Sequence, residues 1–232
     1  MIKYLRLPFN FDVQRMQHEL NALDKGAWQL HYQKLHYEGD WSAIPLRSDG
    51  GRADNIIITP GQEPDYQDTV FLHGQSYFKE VLSAFQCPLM AVRLLKLAPG
   101  AVIKEHRDAE LYFEKGEARI HIPVITNEAV EFYLDKERII LQEGECWYMN
   151  FNLLHSIHNK SNQPRVHLVI DAVVNDWMTA LFSGPALTRK DIKEPVADIA
   201  TQQQIISQLR QMNTPTGHQL ADQLEAALQA GA

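Results

Sequence analysis

Cysteine and long apolar runs are both scarce in this chain. Its 232 residues include only Cys87 and Cys146, whose spacing implies no disulfide framework, so a reducing cytoplasm is the simplest location. No stretch approaches the roughly 20 apolar residues of a membrane-spanning helix. The amino terminus has Lys3, Arg6 and Pro8 where a signal peptide needs an apolar core. These absences predict a cytoplasmic protein without a membrane partner.

The chain also has fewer positively charged than negatively charged residues. The 22 Lys and Arg residues against 29 Asp and Glu residues give a net charge of -7. A general nucleic-acid binder needs a basic face, so that class is excluded, although a local basic pocket for a small anion is not. With 45% hydrophobic and 22% charged residues, the composition predicts an ordinary globular protein with one substantial core.

The middle of the chain reads as closely spaced strands separated by turns such as "APGA", "DKER" and "QEGE". This pattern is typical of a sandwich or barrel, and not of βαβ units. We predict a mainly β protein with flanking helices (α+β), built on a double-stranded β-helix of the jelly-roll, cupin-like kind. The predicted domain is 1–184, with its core at 89–175. The strand segments are "LMAVRLLKLAPG", "EARIHIPVIT", "AVEFYLD", "ERIILQEGECWYMNF" and "PRVHLVIDAVV".

The flanking segments have other patterns. "FDVQRMQHELNALD" has helical spacing with Asp12 as its cap, and "GQSYFKEVLSAF" predicts a second helix. Residues 27–60 alternate as strands do and include "NIIITP", with "RSDGGRADN" as a loop. Two Gln- and Leu-rich segments predict a helical C-terminal appendage at 185–232. This appendage could cover a pocket or form a homodimer contact.

The motif "HRD" places His106 and Asp108 two residues apart, directly after a strand and a "PG" turn. The composition gives about one such histidine-x-acid pair by chance, and "HYE" at His36 is another, so one of the two is expected to be accidental. His106 is distinguished by His155 farther along the strand region. Two histidines and a carboxylate form the facial triad of non-haem iron(II) oxygenases, which leaves coordination positions open for oxygen.

Arg165 lies ten residues after His155, beyond the turn "NKSNQP". We expect a hairpin that brings the guanidinium near the metal. A buried arginine requires an anion, and its planar fork matches a carboxylate. An acid that chelates iron at one end and carries a carboxylate at the other meets both needs, and 2-oxoglutarate is such an acid. Arg119 and His121 alternate with apolar residues in "ARIHIPVIT", so they predict a polar inner face that lines the pocket.

The combination of "HRD", "RIHIPV" and "NFNLLHSIHNKSNQPRVHLVID" resembles the aspartyl/asparaginyl β-hydroxylase family of iron(II) and 2-oxoglutarate-dependent dioxygenases, which includes bacterial proline hydroxylases. The resemblance covers roughly residues 89–175. It implies that His106, Asp108 and His155 hold iron(II) and that Arg165 grips the distal carboxylate of 2-oxoglutarate. It also implies that Arg119 and His121 help to bind this co-substrate.

The activity that the resemblance implies is hydroxylation of an unactivated C–H bond with O2, releasing succinate and CO2. The expected substrate is a free amino acid such as proline, or an amino-acid residue in a peptide. Arg93 is a candidate for the substrate carboxylate and Trp41 for the substrate wall. Their alternatives are a sheet-edge salt bridge for Arg93 and packing for Trp41. Two other functions stay open: a zinc or manganese hydrolase, since the same ligands suit it, and a non-catalytic jelly-roll binding protein.

Overall fold

The computed structural model describes residues 1–23, 25–58, 65–108, 111–185, 187–193 and 199–230. These residues form two units by their contacts, Met1–Ile192 and Lys193–Ala232. The strands are β1 Ile2–Asn10, β2 Gln29–Leu30, β3 Tyr37–Glu38, β4 Trp41–Asp49, β5 Tyr66–Asp68, β6 Leu89–Leu97, β7 Val102–His106, β8 Glu117–Ile125, β9 Val130–Leu134, β10 Glu137–Ile139, β11 Glu145–Met149, β12 His155–Asn159, β13 Arg165–Val173 and β14 Thr188–Asp191. The helices are α1 Val13–Ala22, α2 Val70–His73, α3 Ser76–Ser83, α4 Asp176–Ser183, α5 Ile199–Gln211 and α6 Pro215–Ala230. Short 3-10 turns span Lys25–Ala27, Lys34–His36 and Phe113–Lys115.

Two antiparallel sheets form the first unit, as the jelly-roll prediction required. The large sheet has the order β14-β1-β11-β8-β13-β6-β4-β2, with β5 on β4. The small sheet has the order β10-β9-β12-β7-β3. Most neighbouring strands are far apart in sequence, such as β8 beside β11 and β13 in the large sheet and β7 beside β12 in the small sheet, which is the crossed connectivity of a double-stranded β-helix. The fold class predicted from the sequence is therefore confirmed.

The two faces of the large sheet bury different sets of side chains because neighbouring residues on a strand point to opposite sides. On β8, Ile120, Ile122 and Val124 pack with helices α1, α3 and α4 on the outer face. The inner face meets the small sheet, and there Leu95 and Leu97 of β6 join a second apolar cluster. The polar side chains of β8 share this interior, which is where the candidate site lies.

The helices follow their sequence signals. Asp12 caps α1, its carboxylate accepting a hydrogen bond from the Arg15 amide, as predicted. Met16 and Leu20 lie on the apolar face of α1 and pack in the outer core. The two predicted tail helices appear as α5 and α6, which contact each other within the second unit. No helix in the described ranges is long and apolar enough to cross a membrane.

Four features differ from the sequence predictions. Residues 55–58 of "NIIITP" form no strand, and the rest of that segment lies outside the described residues. Arg47–Asp49, predicted as loop, continue β4 because they pair with β5. Strand β1 was not predicted, although it lies between β14 and β11 in the large sheet. The domain boundary was expected after residue 184. Strand β14 follows that position but pairs with β1, so it belongs to the first unit.

Candidate metal centre

Three donor side chains meet at one end of the small sheet. β7 ends at His106, and antiparallel pairing sets it opposite His155, the first residue of β12. Asp108 lies just after β7, and its side chain is beside the two histidines. One of its carboxylate oxygens is 3.7 Å from the Nε2 atom of His106. One ligand atom from each of the three lies within 4.8 Å of the others. The sequence analysis predicted all three residues, and the pairing of β12 with β7 explains how His155 comes to lie beside His106.

The two imidazoles are held in the tautomer that a metal ligand needs. The Nδ1 atom of His106 lies 2.7 Å from the Lys104 carbonyl oxygen, and that of His155 lies 3.0 Å from the Leu153 carbonyl oxygen. A carbonyl only accepts, so each Nδ1 carries a proton, and Nε2 is the nitrogen that each ring can offer to a metal. Burial, and to a smaller extent the proximity of His106, lowers the pKa of His155 to about 4, so the His155 ring is neutral at pH 7.

Asp108 belongs to a buried charge network that sequence reasoning did not foresee. Arg119 donates to a carboxylate oxygen of Asp108 and, through Nε, to Asp171 at 2.6 Å. Asp171 also accepts from Arg93 at 2.6 Å. Burial opposes ionisation of Asp108, but Arg119 and the nearby histidines outweigh it and lower the pKa of Asp108. The carboxylate is therefore ionised and fixed in position before any ligand arrives.

Asp171 and His167 are site residues that the sequence analysis missed. They share the inner face of β13 with Arg165, because residues 165, 167, 169 and 171 point the same way on a strand. The sequence signal was available, since three polar residues at period two in an otherwise apolar strand are unusual. Asp171 pairs in register with Arg119 of β8, which explains how it meets that guanidinium.

Arg165 is a buried cation that has no opposite charge beside it among the residues that the structure describes. Its side chain is buried, with 2% of the residue exposed, and no carboxylate of the described chain forms an ion pair with it. Its contact is the Nδ1 atom of His167 at 2.9 Å, and its Nε atom has no partner among the described residues. Burial lowers the pKa of Arg165 to about 9, so it still carries its charge at pH 7. Such a group fits an incoming carboxylate.

The expected hairpin between His155 and Arg165 is wrong. β12 pairs with β7 and β9 in the small sheet, whereas β13 pairs with β6 and β8 in the large sheet. The turn between them crosses from one sheet to the other. A series of ring contacts instead runs through the interior from His155 to Phe151 to His121 to His167, with centroid distances of 4.8, 4.9 and 5.5 Å. Arg165 thus lies across the barrel interior, beyond these rings.

A cavity of about 880 Å³ opens beside Asp108 and Arg119. Arg93 and Trp41 line it, so the structure brings both candidate substrate residues to the metal side of the barrel. Trp41 stacks on His31 with ring centroids 3.5 Å apart, which makes a flat aromatic wall. The sheet-edge salt bridge considered for Arg93 is replaced by a buried pair with Asp171 in the interior.

A comparison with known protein families agrees with the resemblance found in the sequence motifs. The family model described as Aspartyl/Asparaginyl beta-hydroxylase matches residues 10–174. An L-proline cis-4-hydroxylase of Rhizobium meliloti (strain 1021) is 27% identical over 165 residues, which cover 69% of this chain and 57% of that protein. The matched region thus spans less than two thirds of this relative's length.

Two solved structures similar to this chain are oxygenases by their descriptions. An oxidoreductase of the 2OG-Fe(II) oxygenase family from Burkholderia pseudomallei has a TM-score of 0.46 and 12% identity, covering 71% of this chain and 81% of the other. A non-heme monooxygenase, ThoJ, in a nickel complex has a TM-score of 0.44 and 10% identity, covering 75% of this chain and 74% of the other.

Proposed function

Because this chain belongs to the aspartyl/asparaginyl β-hydroxylase family, we propose that it is an iron(II)- and 2-oxoglutarate-dependent dioxygenase. It hydroxylates an unactivated C–H bond of a free amino acid, or of an amino-acid residue, and releases succinate and CO2. The observation that carries this proposal is the buried, anion-free guanidinium of Arg165 in the same barrel interior as the three metal-binding side chains.

His106, Asp108 and His155 are the residues that hold iron. Two imidazoles whose Nδ1 atoms are engaged by backbone carbonyls, so that Nε2 is the atom offered to a metal, and one ionised carboxylate are the donor set of a facial triad. Iron bound there supplies oxygen activation, which no side chain of this protein could provide. Arg119 donates to one oxygen of Asp108, so the other oxygen of that carboxylate would be available to hold the metal.

The co-substrate site extends from the metal to Arg165. 2-Oxoglutarate carries an oxo-acid group that chelates a metal and a second carboxylate at its far end. The far carboxylate would pair with Arg165 and remove the penalty of an unpaired buried charge. His121 lies between the two ends, against Phe151, and belongs to the wall of this site.

The substrate occupies the large cavity on the other side of Asp108. Arg93 is held through one nitrogen by Asp171, while its buried Nε–H has no partner in the described chain and could donate to a substrate carboxylate. Trp41 and His31 offer a flat apolar surface for a small ring. The relative named as an L-proline hydroxylase supports proline, or a similar free amino acid, as the first substrate to test.

The test is an anaerobic titration of the iron(II)-loaded protein with 2-oxoglutarate, following the visible charge-transfer band of the chelated metal. We expect a saturable band in the wild type and no iron binding in Asp108→Ala. Arg165→Met should keep iron but weaken 2-oxoglutarate about 100-fold, because a charge-assisted, two-point contact is lost. Arg52→Met is the control, since its guanidinium is exposed and pairs with Asp54 only at the surface.

Arg165→Met also has a stability readout that a structural arginine would not show. Removing an unpaired buried charge should leave the ligand-free protein as stable as the wild type, or more stable, because the desolvation penalty disappears. A large loss of stability would indicate that Arg165 holds the fold together and would contradict the proposed role.

Other outcomes favour the other functions. If the wild type shows no band, binds zinc more firmly than iron, and melts at the same temperature with and without 2-oxoglutarate, the dioxygenase proposal fails in favour of a hydrolytic metal site. If the band forms but no amino acid or peptide stimulates succinate release, the non-catalytic binding protein becomes the better account. A positive succinate screen identifies the substrate class.

A further inference from the structure

A chain of alternating charges connects the substrate cavity to the metal centre. Arg93, Asp171, Arg119 and Asp108 follow one another in this order, and each side chain contacts the next. We propose that Asp171 and Arg119 are positioning residues that couple the binding of an amino-acid carboxylate at Arg93 to the binding of metal at Asp108. This inference deepens the proposed function and rests on it, because it takes Arg93 to be the site of the substrate carboxylate.

The chain of charges is buried where it crosses the barrel interior. Asp171 is 1% exposed, and both Arg93 and Arg119 are buried beside it. Because water does not screen charges at such positions, a change of charge at one group alters the hydrogen bonds of the next. The two ends of the chain reach the same cavity, which Arg93 and Asp108 both line. A carboxylate at one end and a metal at the other can therefore be bound together.

One oxygen of Asp171 is shared between the two arginines. Its Oδ2 atom accepts from Nη2 of Arg93 at 2.6 Å and from Nη2 of Arg119 at 3.3 Å. Its Oδ1 atom accepts from Nε of Arg119 at 2.6 Å. The two guanidiniums thus compete for Oδ2, and the longer of the two contacts is the one from Arg119. A weaker hydrogen bond from Arg93 would allow the contact from Arg119 to shorten.

Arg119 is in turn shared between two carboxylates. Its Nε and Nη2 atoms donate to Asp171, whereas its Nη1 atom donates to Asp108. A guanidinium can span two carboxylates in this way because its donors form a rigid planar fork. Both contacts draw on the same positive charge, so a stronger hydrogen bond to Asp171 weakens the one to Asp108.

The direction of the coupling follows from the signs of the charges. The Nε atom of Arg93 is a buried donor without a partner in the described ranges, so a ligand carboxylate can bind there. Its negative charge weakens the hydrogen bond from Arg93 to Asp171, and Asp171 then binds Arg119 more strongly. Arg119 compensates less of the charge on Asp108, which becomes a stronger metal ligand. The carboxylate and the metal should therefore raise each other's affinity by the same factor.

The experiment measures the affinity of the metal-free and the cobalt(II)-loaded protein for L-proline by calorimetry. In the wild type, cobalt should tighten L-proline binding about five- to tenfold, the lower part of the usual range for coupled sites. Arg119→Lys keeps the positive charge but loses the planar fork that spans Asp171 and Asp108, so the factor should fall below about twofold. Arg15→Lys is the matched control and should keep the full factor, since Arg15 makes its forked pair with Glu80 at the surface.

The outcomes separate this inference from the proposed function. A factor that persists in Arg119→Lys would show that L-proline acts on the metal directly, and would overturn the coupling while leaving the dioxygenase intact. Failure of L-proline to bind the wild type would also overturn it, because Arg93 would not be a site for an amino-acid carboxylate. Absence of 2-oxoglutarate binding in the anaerobic titration would instead overturn the proposed function.

A measurement on the metal-free wild type avoids any dependence on the folding of a variant. In protein with labelled arginines, the buried Nε–H proton of Arg119, which donates to Asp171, should give a protected NMR resonance. Addition of L-proline should shift this resonance downfield, as expected for a hydrogen bond that becomes shorter. L-Prolinamide has the same ring without the carboxylate and should leave the resonance in place. An Arg119 resonance that bound L-proline leaves unmoved would refute the proposal.

Discussion

Asp171 offers a stringent test of how the candidate site is held together. Its carboxylate is 1% exposed and accepts hydrogen bonds from both Arg93 and Arg119. In Asp171→Asn the shape is retained, but two buried guanidiniums lose their shared counter-charge. Breaking a buried ion pair by removing one partner costs about 3–5 kcal/mol. For a unit of this size, that loss corresponds to a fall in melting temperature of about 6–20 °C.

The control for this variant is another Asp–Arg pair of the same sheet. Asp68 accepts from Arg47 at 2.7 Å, but its side chain is 40% exposed. Because solvent screens an exposed pair, Asp68→Asn should cost no more than about 1 kcal/mol. Urea unfolding of the metal-free proteins at pH 7 measures both changes.

A double variant tests whether the loss arises from the charge network. With Arg93→Met already present, Asp171→Asn should cost at least about 1 kcal/mol less than it does in the wild type, because one of the unpaired charges is gone. The reasoning would be refuted if Asp171→Asn destabilised the protein no more than Asp68→Asn does, or if the two changes were additive.

Two further predictions concern acid and a tight turn. Below an unfolded-state pKa of about 6.5 the unfolded chain protonates histidines that the folded chain keeps neutral, so the stability of the metal-free protein should fall as pH falls. Burial lowers the pKa of His31 to about 3 and holds the pKa values of His121 and His167 well below their usual range. At pH 5 each of these histidines should therefore lower the free energy of unfolding by about 2 kcal/mol. Urea unfolding at pH 7 and pH 5 measures the change, and a total difference under about 2 kcal/mol would contradict the prediction. Gly144→Ala should destabilise the protein by more than Gly100→Ala in the same assay. Both glycines have positive φ, but of the two only Gly144 lies so close to a backbone carbonyl oxygen that an added Cβ would meet it, at 2.6 Å. Equal losses of stability would show that the backbone relaxes around the added Cβ without penalty.

Local patterns were enough to predict most strands and the two tail helices. Alternation of polar and apolar residues on β8 correctly gave the inner face to Arg119 and His121. The same rule places Asp171 and His167 on the inner face of β13, but only Arg165 was singled out on that strand from the sequence. Strand β1 was not predicted, because Lys3, Arg6 and Pro8 weaken the strand signal of its sequence.

Relations between distant strands could not be predicted from local pattern. The turn after β12 looks like a hairpin in sequence, because a polar turn between two strands is the usual hairpin signal. Whether the next strand pairs with its neighbour or crosses to the opposite sheet depends on which edges are free. In this fold β12 is already paired on both sides, by β7 and β9.

The sequence by itself determined which residue types are present for the chemistry, and on which face of a strand each one lies. Period two along a strand is a local property, so it fixes the inward direction of Arg165 and its neighbours on β13 wherever that strand is placed. Tertiary structure alone decided what each inward side chain meets. The register of β13 against β8 brings Asp171 to Arg119, whereas Arg165 contacts His167 and no carboxylate of the described residues. That difference arises because electrostatic pairing depends on distances across strands, which the order of residues along one strand does not contain.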